Sequence, residues 1–167
     1  IKEAYLSSTF NDNAFNFTRA IESIDYYEDL LNPTLTCYIK CIDTDNLYQT
    51  LPIRGYERLD LVIETTLGEL KFNASIQTPL YVTSVQDLVT KEGQESFTLV
   101  CSTKSALDNE ATRCQRRFKK APISTHVENI LKDLMKISHE RVFVERTSNA
   151  YEFMGNQKKP YHTCTWL

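Results

Sequence analysis

Residues 51–76 read LPIRGYERLDLVIETTLGELKFNASI, and this stretch decides the fold class. Apolar side chains occupy every second position on both sides of Gly68: Leu59, Leu61 and Ile63 before it, and Leu70, Phe72 and Ala74 after it. Period-two alternation is typical of a strand with one buried face, and a glycine between two such runs marks a turn. The stretch therefore predicts an antiparallel β-hairpin.

A second and a third strand pair flank this hairpin. On its C-terminal side, LYVTSVQDLVT (residues 80–90) and SFTLVCS (residues 96–102) are separated by a charged turn at residues 91–95. On its N-terminal side, residues 21–30 and 35–43 are separated by LNPT, a turn signal. Nine Tyr and eight Phe with only four Gly also favour sheet, so we expect strands to outnumber helices.

Two segments fall outside these pairs. The first sixteen residues lack periodicity, and we expect them to form an extended arm that is ordered by a neighbour. Residues 46–50 are expected to form one helical turn.

Two helices are predicted after the strands. Ser105, followed three residues later by Asp108, resembles a helix N-terminus. Thr125 and Glu128 form a capping-box pattern. Apolar residues then recur at helical spacing: Val127, Ile130, Leu131, Leu134 and Met135. The second of these helices is therefore the firmer local prediction.

Beyond the second helix, RVFVE (residues 141–145) reads as a strand and residues 148–151 read as a turn. Strands thus come first in the chain and helices later. This order favours a mainly β or α+β class over a doubly wound α/β sheet. We expect an antiparallel β-sandwich or barrel with one packed helix, followed by a further helix.

The composition limits the classes of function. A net charge of −3 and a pI near 5.7 argue against a protein whose main task is gripping nucleic acid, since such domains carry a basic excess. No run of 18 apolar residues is present. The five cysteines contain no C-x-x-C pair, and Cys37 and Cys41 lie about 13 Å apart on one strand face, too far to share one metal ion.

No motif for catalysis or for a cofactor is found. The sequence has no G-x-S-x-G elbow, its glycines are isolated, and its histidines lack the paired spacing of zinc ligands. We therefore assign no catalytic, cofactor-binding or metal-binding residue and expect a protein that is not an enzyme. Two alternatives stay open: a small enzyme in which His126, His162 and Cys164 converge in a cleft, and a β-rich adaptor domain unrelated to phage.

The segment TRCQRRFKKAP (residues 112–122) concentrates positive charge. It contains five basic residues within eight positions: Arg113, Arg116, Arg117, Lys119 and Lys120. Such a segment is a solvated linker, an electrostatic docking strip for an acidic partner subunit, or a nucleic-acid contact. Interleaved stacking aromatics would favour nucleic acid, but the segment contains only Phe118.

Several short motifs follow one another in a distinctive order. A strand at residues 97–102 precedes N-E-x-x-R at residues 109–113, R-x-x-K at residues 117–120, and P-I-S-x-x-V-x-x-I-L at residues 122–131. Upstream lies L-P-I-x-G-x-E, formed by Leu51, Pro52, Ile53, Gly55 and Glu57. The last motif is a K-P segment ending in W-L, formed by Lys159, Pro160, Tyr161, Trp166 and Leu167. Over roughly residues 20–167 this order resembles the central hub proteins of T4-like (myovirus) bacteriophage baseplates.

The resemblance implies a structural role in a contractile tail. Hub proteins of this family form a homotrimeric ring in which each subunit contributes two tube-like domains. The resulting pseudo-sixfold symmetry joins the hexameric tail tube to the trimeric spike and leaves a channel for DNA in transit. The implied partners are further copies of the chain, a tail tube or tube-initiator protein, the central spike protein and a tape measure protein. The implied location is the virion tail baseplate, after synthesis in the host cytoplasm.

For this chain the resemblance implies a tube-like β domain at residues 1–121 and the start of a connecting region at residues 122–167. The family's second tube-like domain is absent from the sequence. Since the chain lacks an initiating Met and ends on apolar residues, we expect a piece of a longer protein. The family has no catalytic residues, and we expect the basic residues 113–120 to lie at a subunit contact rather than in the channel.

Overall fold

The computed structural model describes residues 1–8, 14–43, 53–76, 78–91 and 94–167. The helical turn predicted at residues 46–50 lies outside these ranges, as does the centre of the charged turn at residues 91–95. The chain divides into two compact units, Ile1–Lys104 and Ser105–Leu167. The boundary predicted after residue 121 therefore falls inside the second unit, because the strand at that position pairs within the second unit.

The first unit is built on one antiparallel sheet. Its eight strands are β1 (Glu3–Ser7), β2 (Ala14–Asn16), β3 (Ile21–Tyr27), β4 (Thr36–Asp43), β5 (Arg58–Thr65), β6 (Gly68–Phe72), β7 (Leu80–Lys91) and β8 (Gln94–Thr103). They follow the order β2-β1-β5-β7-β8-β4-β3, with β6 added alongside β5. All neighbours are antiparallel. The predicted mainly β class is confirmed.

The three predicted hairpins are present. Strand β5 pairs with β6 around Gly68, β3 pairs with β4, and β7 pairs with β8. The prediction of an extended arm at the N-terminus is wrong, because β1 lies between β2 and β5 in the sheet. Ala4 and Leu6 are buried there while Glu3 and Tyr5 are exposed, so the segment has a strand period too short to stand out in the sequence.

The sheet of the first unit is rolled. The rings of Tyr26 on β3 and Phe72 on β6 have centroids 5.4 Å apart. Strand β6 pairs with the same edge of β5 as β7 does, so three strand spacings separate it from β3, about 14 Å in a flat sheet at about 4.8 Å per spacing. The sheet must curl to bring these rings together. Its inner face holds a single core to which most strands contribute; the fully buried members include Ile39, Leu59, Leu61, Leu80, Val82 and Leu99.

The second unit combines short helices with a two-stranded sheet. The helices are α1 (Lys104–Ala111), which begins at the boundary, α2 (Ile123–Asn129), which continues as a π-helical turn (Ile130–Leu134), and α3 (Pro160–Trp166). The strands β9 (Arg117–Pro122) and β10 (Ala150–Met154) are antiparallel. A small core lies between these elements and contains Cys114, Phe118, Ile130 and Phe153.

Both helices predicted from the sequence form, but the second does not start where its capping box indicated. Helix α2 begins at Ile123 after Pro122, without a capping hydrogen bond from a side chain. Ser124 faces Thr147 instead: the Ser124 amide donates to Thr147 Oγ1 at 3.0 Å, and the Thr147 amide donates to Ser124 Oγ at 3.2 Å. The start of α2 is thus fixed by a distant segment.

The strand predicted at residues 141–145 does not form. The chain has a 3-10 turn at His139–Arg141, and residues 142–149 after it belong to no strand. Strand β10 lies further on, overlapping the predicted turn at residues 148–151. Phe143 is 90% exposed, whereas Phe153 stacks on Phe118 with ring centroids 4.4 Å apart. The alternation around Phe143 was misleading because nothing in the described chain covers that side chain.

Candidate interaction surface

The paired strands β9 and β10 carry most of the basic segment. Arg117 is paired with Met154 and Phe118 with Phe153, but further along Ala121 is paired with Tyr151. Two residues of β9, Lys119 and Lys120, therefore oppose the single residue Glu152. Such a β-bulge interrupts the alternation of a strand. Both lysines are exposed as a result, on a strand where Phe118 points into the core.

The three arginines of the segment have partners within the second unit. Arg113 donates from Nη1 to the carbonyl oxygens of Glu110 and Thr112 at 2.7 and 2.8 Å, at the C-terminal end of α1. Arg116 lies 3.8 Å from the Asp133 carboxylate, and its guanidinium is 5.0 Å from the centre of the Phe118 ring. These two arginines support local structure.

Arg117 on β9 binds Glu152 on β10, through Nε at 2.8 Å and through Nη2. Lys119 and Lys120 differ from the arginines, because neither forms an ion pair or a hydrogen bond through its side chain with any residue in the described ranges. The five basic residues are therefore of two kinds. The arginines are engaged, and the two lysines are available to a partner.

An aromatic cluster packs against the buried face of strands β9 and β10. The His126 ring meets Phe118 and Phe153 edge-on, with centroids 5.6 and 5.3 Å apart. Its Nε2 lies 2.8 Å from the Tyr151 carbonyl oxygen, to which it donates in the tautomer that carries the proton there. Trp166 contacts both Tyr151 and Phe153 at 5.9 and 5.7 Å. Strands β9 and β10 are thus packed against α2 and α3.

A cleft of about 220 Å³ opens beside this cluster. Its lining is mostly apolar with two basic side chains, and includes Phe153, Met154, Lys158, His162, Thr163 and Trp166. Trp166 is 58% exposed, and Met154 and Tyr151 are also exposed nearby. Phe153 and Met154 of the cleft lining directly follow Glu152, the residue that Lys119 and Lys120 oppose, and we name the two exposed lysines together with this cleft the basic face.

The geometry gives little support to the enzyme alternative. His126 is buried between two phenylalanines, whereas His162 lines the cleft. Burial raises the pKa of the Cys164 thiol to about 12, so it stays protonated at neutral pH and is a poor nucleophile. In the parts of the chain that the structure describes, no group of three His, Cys, Asp or Glu residues could hold a metal ion.

Two of the sequence motifs meet in the second unit. Asn109 of the N-E-x-x-R motif is buried, and its Oδ1 accepts a hydrogen bond from the Tyr161 amide at 2.8 Å. Glu110 forms an ion pair with Lys159. The first amides of a helix have no partner within it, so Asn109 acts as a distant cap for α3. These motif residues join α1 to α3 and have a structural role.

The upstream motif also has a structural role. Glu57 is fully buried, and its carboxylate accepts hydrogen bonds from the amides of Arg54 and Gly55 at 2.8 and 2.9 Å. Gly55 has a φ of +100°, which a residue with a side chain rarely adopts. The Gly and Glu of L-P-I-x-G-x-E therefore form a tight turn; Leu51 and Pro52 lie outside the described residues.

A second exposed surface lies at the hairpin between β3 and β4. Residues 25–31 contain three exposed acidic side chains, Asp25, Glu28 and Asp29. They also contain two leucines that no residue in the described ranges covers: Leu30 is fully exposed and Leu31 is 90% exposed. We name residues 25–31 the acidic leucine loop. The sequence flagged a turn here but did not indicate that its leucines face solvent.

The acidic leucine loop is ordered by its own side chains. Asp29 accepts a hydrogen bond from the Leu31 amide at 2.8 Å through Oδ1, and from the Asn32 amide at 3.2 Å through its carbonyl. Asn32 Oδ1 in turn accepts from the amide of Thr34 at 3.2 Å. These turns hold the two leucines outward.

Charge is distributed unequally between the units. Residues 1–104 contain 8 basic and 15 acidic side chains, a net charge of −7, whereas residues 105–167 contain 11 basic and 7 acidic, a net charge of +4. The overall value of −3 conceals this difference. The composition alone therefore did not predict that a strongly acidic unit is followed by a basic one.

Two solved structures resemble the chain. The 43 kDa tail protein of prophage MuSo2 from Shewanella oneidensis matches with a TM-score of 0.60 and 11% identity, over 99% of this chain and 48% of that one. The E. coli c3393 protein, described as a type VI secretion system component with structural similarity to the T4 bacteriophage tail proteins gp27 and gp5, matches with a TM-score of 0.54 and 12% identity, over 79% and 35%. The chain shares its fold with these two proteins.

The likeness concerns the fold, and the chain spans less than half the length of either protein. No protein-family model matches the chain, and no curated protein matches it in sequence. Among the described residues, no helix is long and apolar enough to cross a membrane.

Proposed function

We propose that the chain is a structural component of a bacteriophage tail baseplate hub. It forms part of a trimeric, pseudo-sixfold ring that joins a hexameric tail tube to a trimeric spike. Its partners are further copies of the chain, a tail tube or tube-initiator protein, the central spike protein and a tape measure protein. DNA only passes through the central channel, and the protein resides in the virion tail after synthesis in the host cytoplasm.

The observation that carries this proposal is the fold shared with a prophage tail protein over 99% of the chain. The likeness to a secretion protein that itself resembles phage tail proteins points in the same direction. Both likenesses are likenesses of the fold and do not depend on the ordered motifs that resemble the hub family. The proposal thus has support from the fold and from the sequence.

The charge of the first unit suits a channel wall. DNA is a dense polyanion, and a wall that carries net negative charge lets it pass without binding. The first unit has a net charge of −7. The basic charge is concentrated in the second unit, where it is available for contacts between subunits.

The basic residues 113–120 form, in this proposal, a subunit contact. Reversing Arg116 and Arg117 would be an ambiguous test, since Arg116 packs on Phe118 and Arg117 binds Glu152. Such variants would disturb the pairing of β9 with β10 as well as any interface. Lys119 and Lys120 are the appropriate targets, because both are exposed and their replacement removes no contact seen in the described chain.

The test of the proposed function is the mass and symmetry of the full-length protein in solution, with the 167-residue chain as a control. We expect light scattering to give a trimer, and negative-stain images to show a threefold ring with a channel wide enough for duplex DNA. A compact monomer at every accessible concentration would contradict the ring and favour an adaptor domain.

A further inference from the structure

We propose that the acidic leucine loop of one copy docks onto the basic face of a second copy. The inference rests on the proposed function and names the partner of its candidate subunit contact. The contact joins residues 25–31 of one chain to Lys119, Lys120 and the adjoining cleft of another.

Charge complementarity is the first argument. The loop presents Asp25, Glu28 and Asp29 within five residues, and the basic face presents Lys119 and Lys120 side by side because of the bulge. Opposite charges of this kind steer association and fix the register of an interface. The net charges of the two units, −7 and +4, favour the same pairing at longer range.

The second argument concerns the apolar groups inside each charged patch. Leu30 and Leu31 are exposed at the tip of the loop, and solvated leucines gain free energy when they are buried. The cleft begins at Phe153 and Met154, which directly follow the residue that the lysines oppose, and its lining of mainly apolar side chains includes the exposed Trp166. Its volume of about 220 Å³ equals the share of about seven liquid waters, at about 30 Å³ each, and accommodates a four-carbon leucine side chain.

Both surfaces are ordered before they meet. The loop is fixed by the hydrogen bonds of Asp29 and Asn32, and strands β9 and β10 are fixed by the stacking of Phe118 on Phe153. Little conformational entropy is then lost on binding, which strengthens an interface of a given area.

The contact uses two different surfaces of the same chain. Each copy then offers a loop to one neighbour and a basic face to another. Heterologous contacts of this type close into rings when the rotation between neighbours divides the circle. The inferred contact is therefore of the kind that a cyclic trimer requires.

Two double variants of the full-length protein test the contact. Lys119→Glu with Lys120→Glu reverses the basic face, and Asp25→Lys with Glu28→Lys reverses the loop. All four positions are exposed, and the loop variant removes one exposed hydrogen bond, from the Tyr26 hydroxyl to Glu28 Oε2 at 2.7 Å. Each variant is expected to keep the circular dichroism spectrum of the parent, with a melting temperature within about 5 °C of it. Sedimentation velocity should show each variant associating about a hundredfold more weakly than the parent, because like charges then face each other.

Mixing the two double variants in equal amounts should restore part of the association, because in a ring of three copies two contacts pair opposite charges and the third joins two copies of the same variant. The native loop of one variant meets the native face of the other, and the reversed loop meets the reversed face. A mixture that associates no more strongly than either variant alone overturns the inference, because a contact between chains would be repaired by the second chain. Association of either variant at parental strength overturns it as well.

Matched controls reverse exposed charges elsewhere in each unit. Glu64→Lys and Arg146→Glu should leave the association constant within about twofold of the parent. Leu30→Ser with Leu31→Ser should weaken association about tenfold or more without changing any charge. A parental ring that is indifferent to all these substitutions would leave the hub function standing and remove only this contact.

Discussion

Gly155 shows how a single residue fixes the shape of the second unit. A Cβ atom at this position would lie 2.3 Å from the carbonyl oxygen of Cys114 and 2.7 Å from its carbonyl carbon. The Gly155 amide also donates to the Arg116 carbonyl at 3.1 Å, which holds the two segments together. The residue is glycine because two backbones approach closely here.

Gly155→Ala should destabilise the protein by about 3 kcal/mol, because backbone atoms must move apart to admit the methyl group. Urea unfolding monitored by circular dichroism measures the change. Asn156→Gly is the matched control: it lies in the same turn, its φ of +49° suits glycine, and we expect a change within about 0.5 kcal/mol. Equal stabilities of Gly155→Ala and the parent would show that the close approach is not maintained.

At this scale the sequence predicts buried strand residues well and close approaches poorly. Cys37 and Cys41 were placed on one strand face by alternation, and both are buried on β4. Gly155 carried no signal, because the space available to a Cβ atom depends on Cys114, forty-one positions away. The bulge at Lys119 and Lys120 was equally hidden, since it exists only relative to β10.

Among the elements, helix α3 depends on a residue of another helix. Asn109 of α1 accepts the hydrogen bond of the Tyr161 amide, and Pro160 at the first turn of α3 lacks an amide hydrogen. Together they satisfy or remove donors that a helix of seven residues would leave without partners. Such a short helix is not stable by itself, so this joint maintains it.

Asn109→Ala should therefore destabilise the second unit by about 1 to 2 kcal/mol, the range found for the loss of a helix cap. Amide hydrogen exchange at Tyr161 should accelerate by a corresponding factor. The exposed ion pair next to it supplies the control. Glu110→Ala removes the contact with Lys159 and a long hydrogen bond from Asn109 Nδ2 at 3.4 Å, and should cost less than about 1 kcal/mol. A larger effect of Glu110→Ala than of Asn109→Ala would contradict this account.

The elements of the first unit were more predictable than those of the second. Each hairpin pairs neighbouring segments, so local alternation and a turn between them carried the prediction. In the second unit, β9 pairs with β10 across more than twenty-five residues, and Ser124 is fixed by Thr147. Contacts over such separations leave no local pattern, and RVFVE was accordingly mistaken for the strand.

On the scale of the whole molecule, the separation of charge between the units should govern association. The Debye length is about 10 Å at about 0.1 M salt and about 3 Å at about 1 M, so added salt screens attraction between an acidic and a basic surface. We expect the weight-average mass from light scattering to fall over this range.

The Lys119→Glu, Lys120→Glu variant should lose most of this salt response, because the attractive charges are gone. An increase of mass with salt in the parent would instead indicate association through apolar surface alone. The candidate site itself was only half predictable, since the basic segment was visible in the sequence and the acidic leucine loop was not.

The core of the rolled sheet has a practical consequence. Cys37, Cys41 and Cys101 are fully buried there, and burial raises the pKa of Cys37 to about 11 and of Cys41 to about 12. A thiolate-seeking alkylating reagent can reach them only while the sheet is open, so their labelling rate measures how often the native sheet opens. Cys114 is also fully buried and gives the same measurement for the other unit, so peptide mass spectrometry of one labelled sample would time the two units separately.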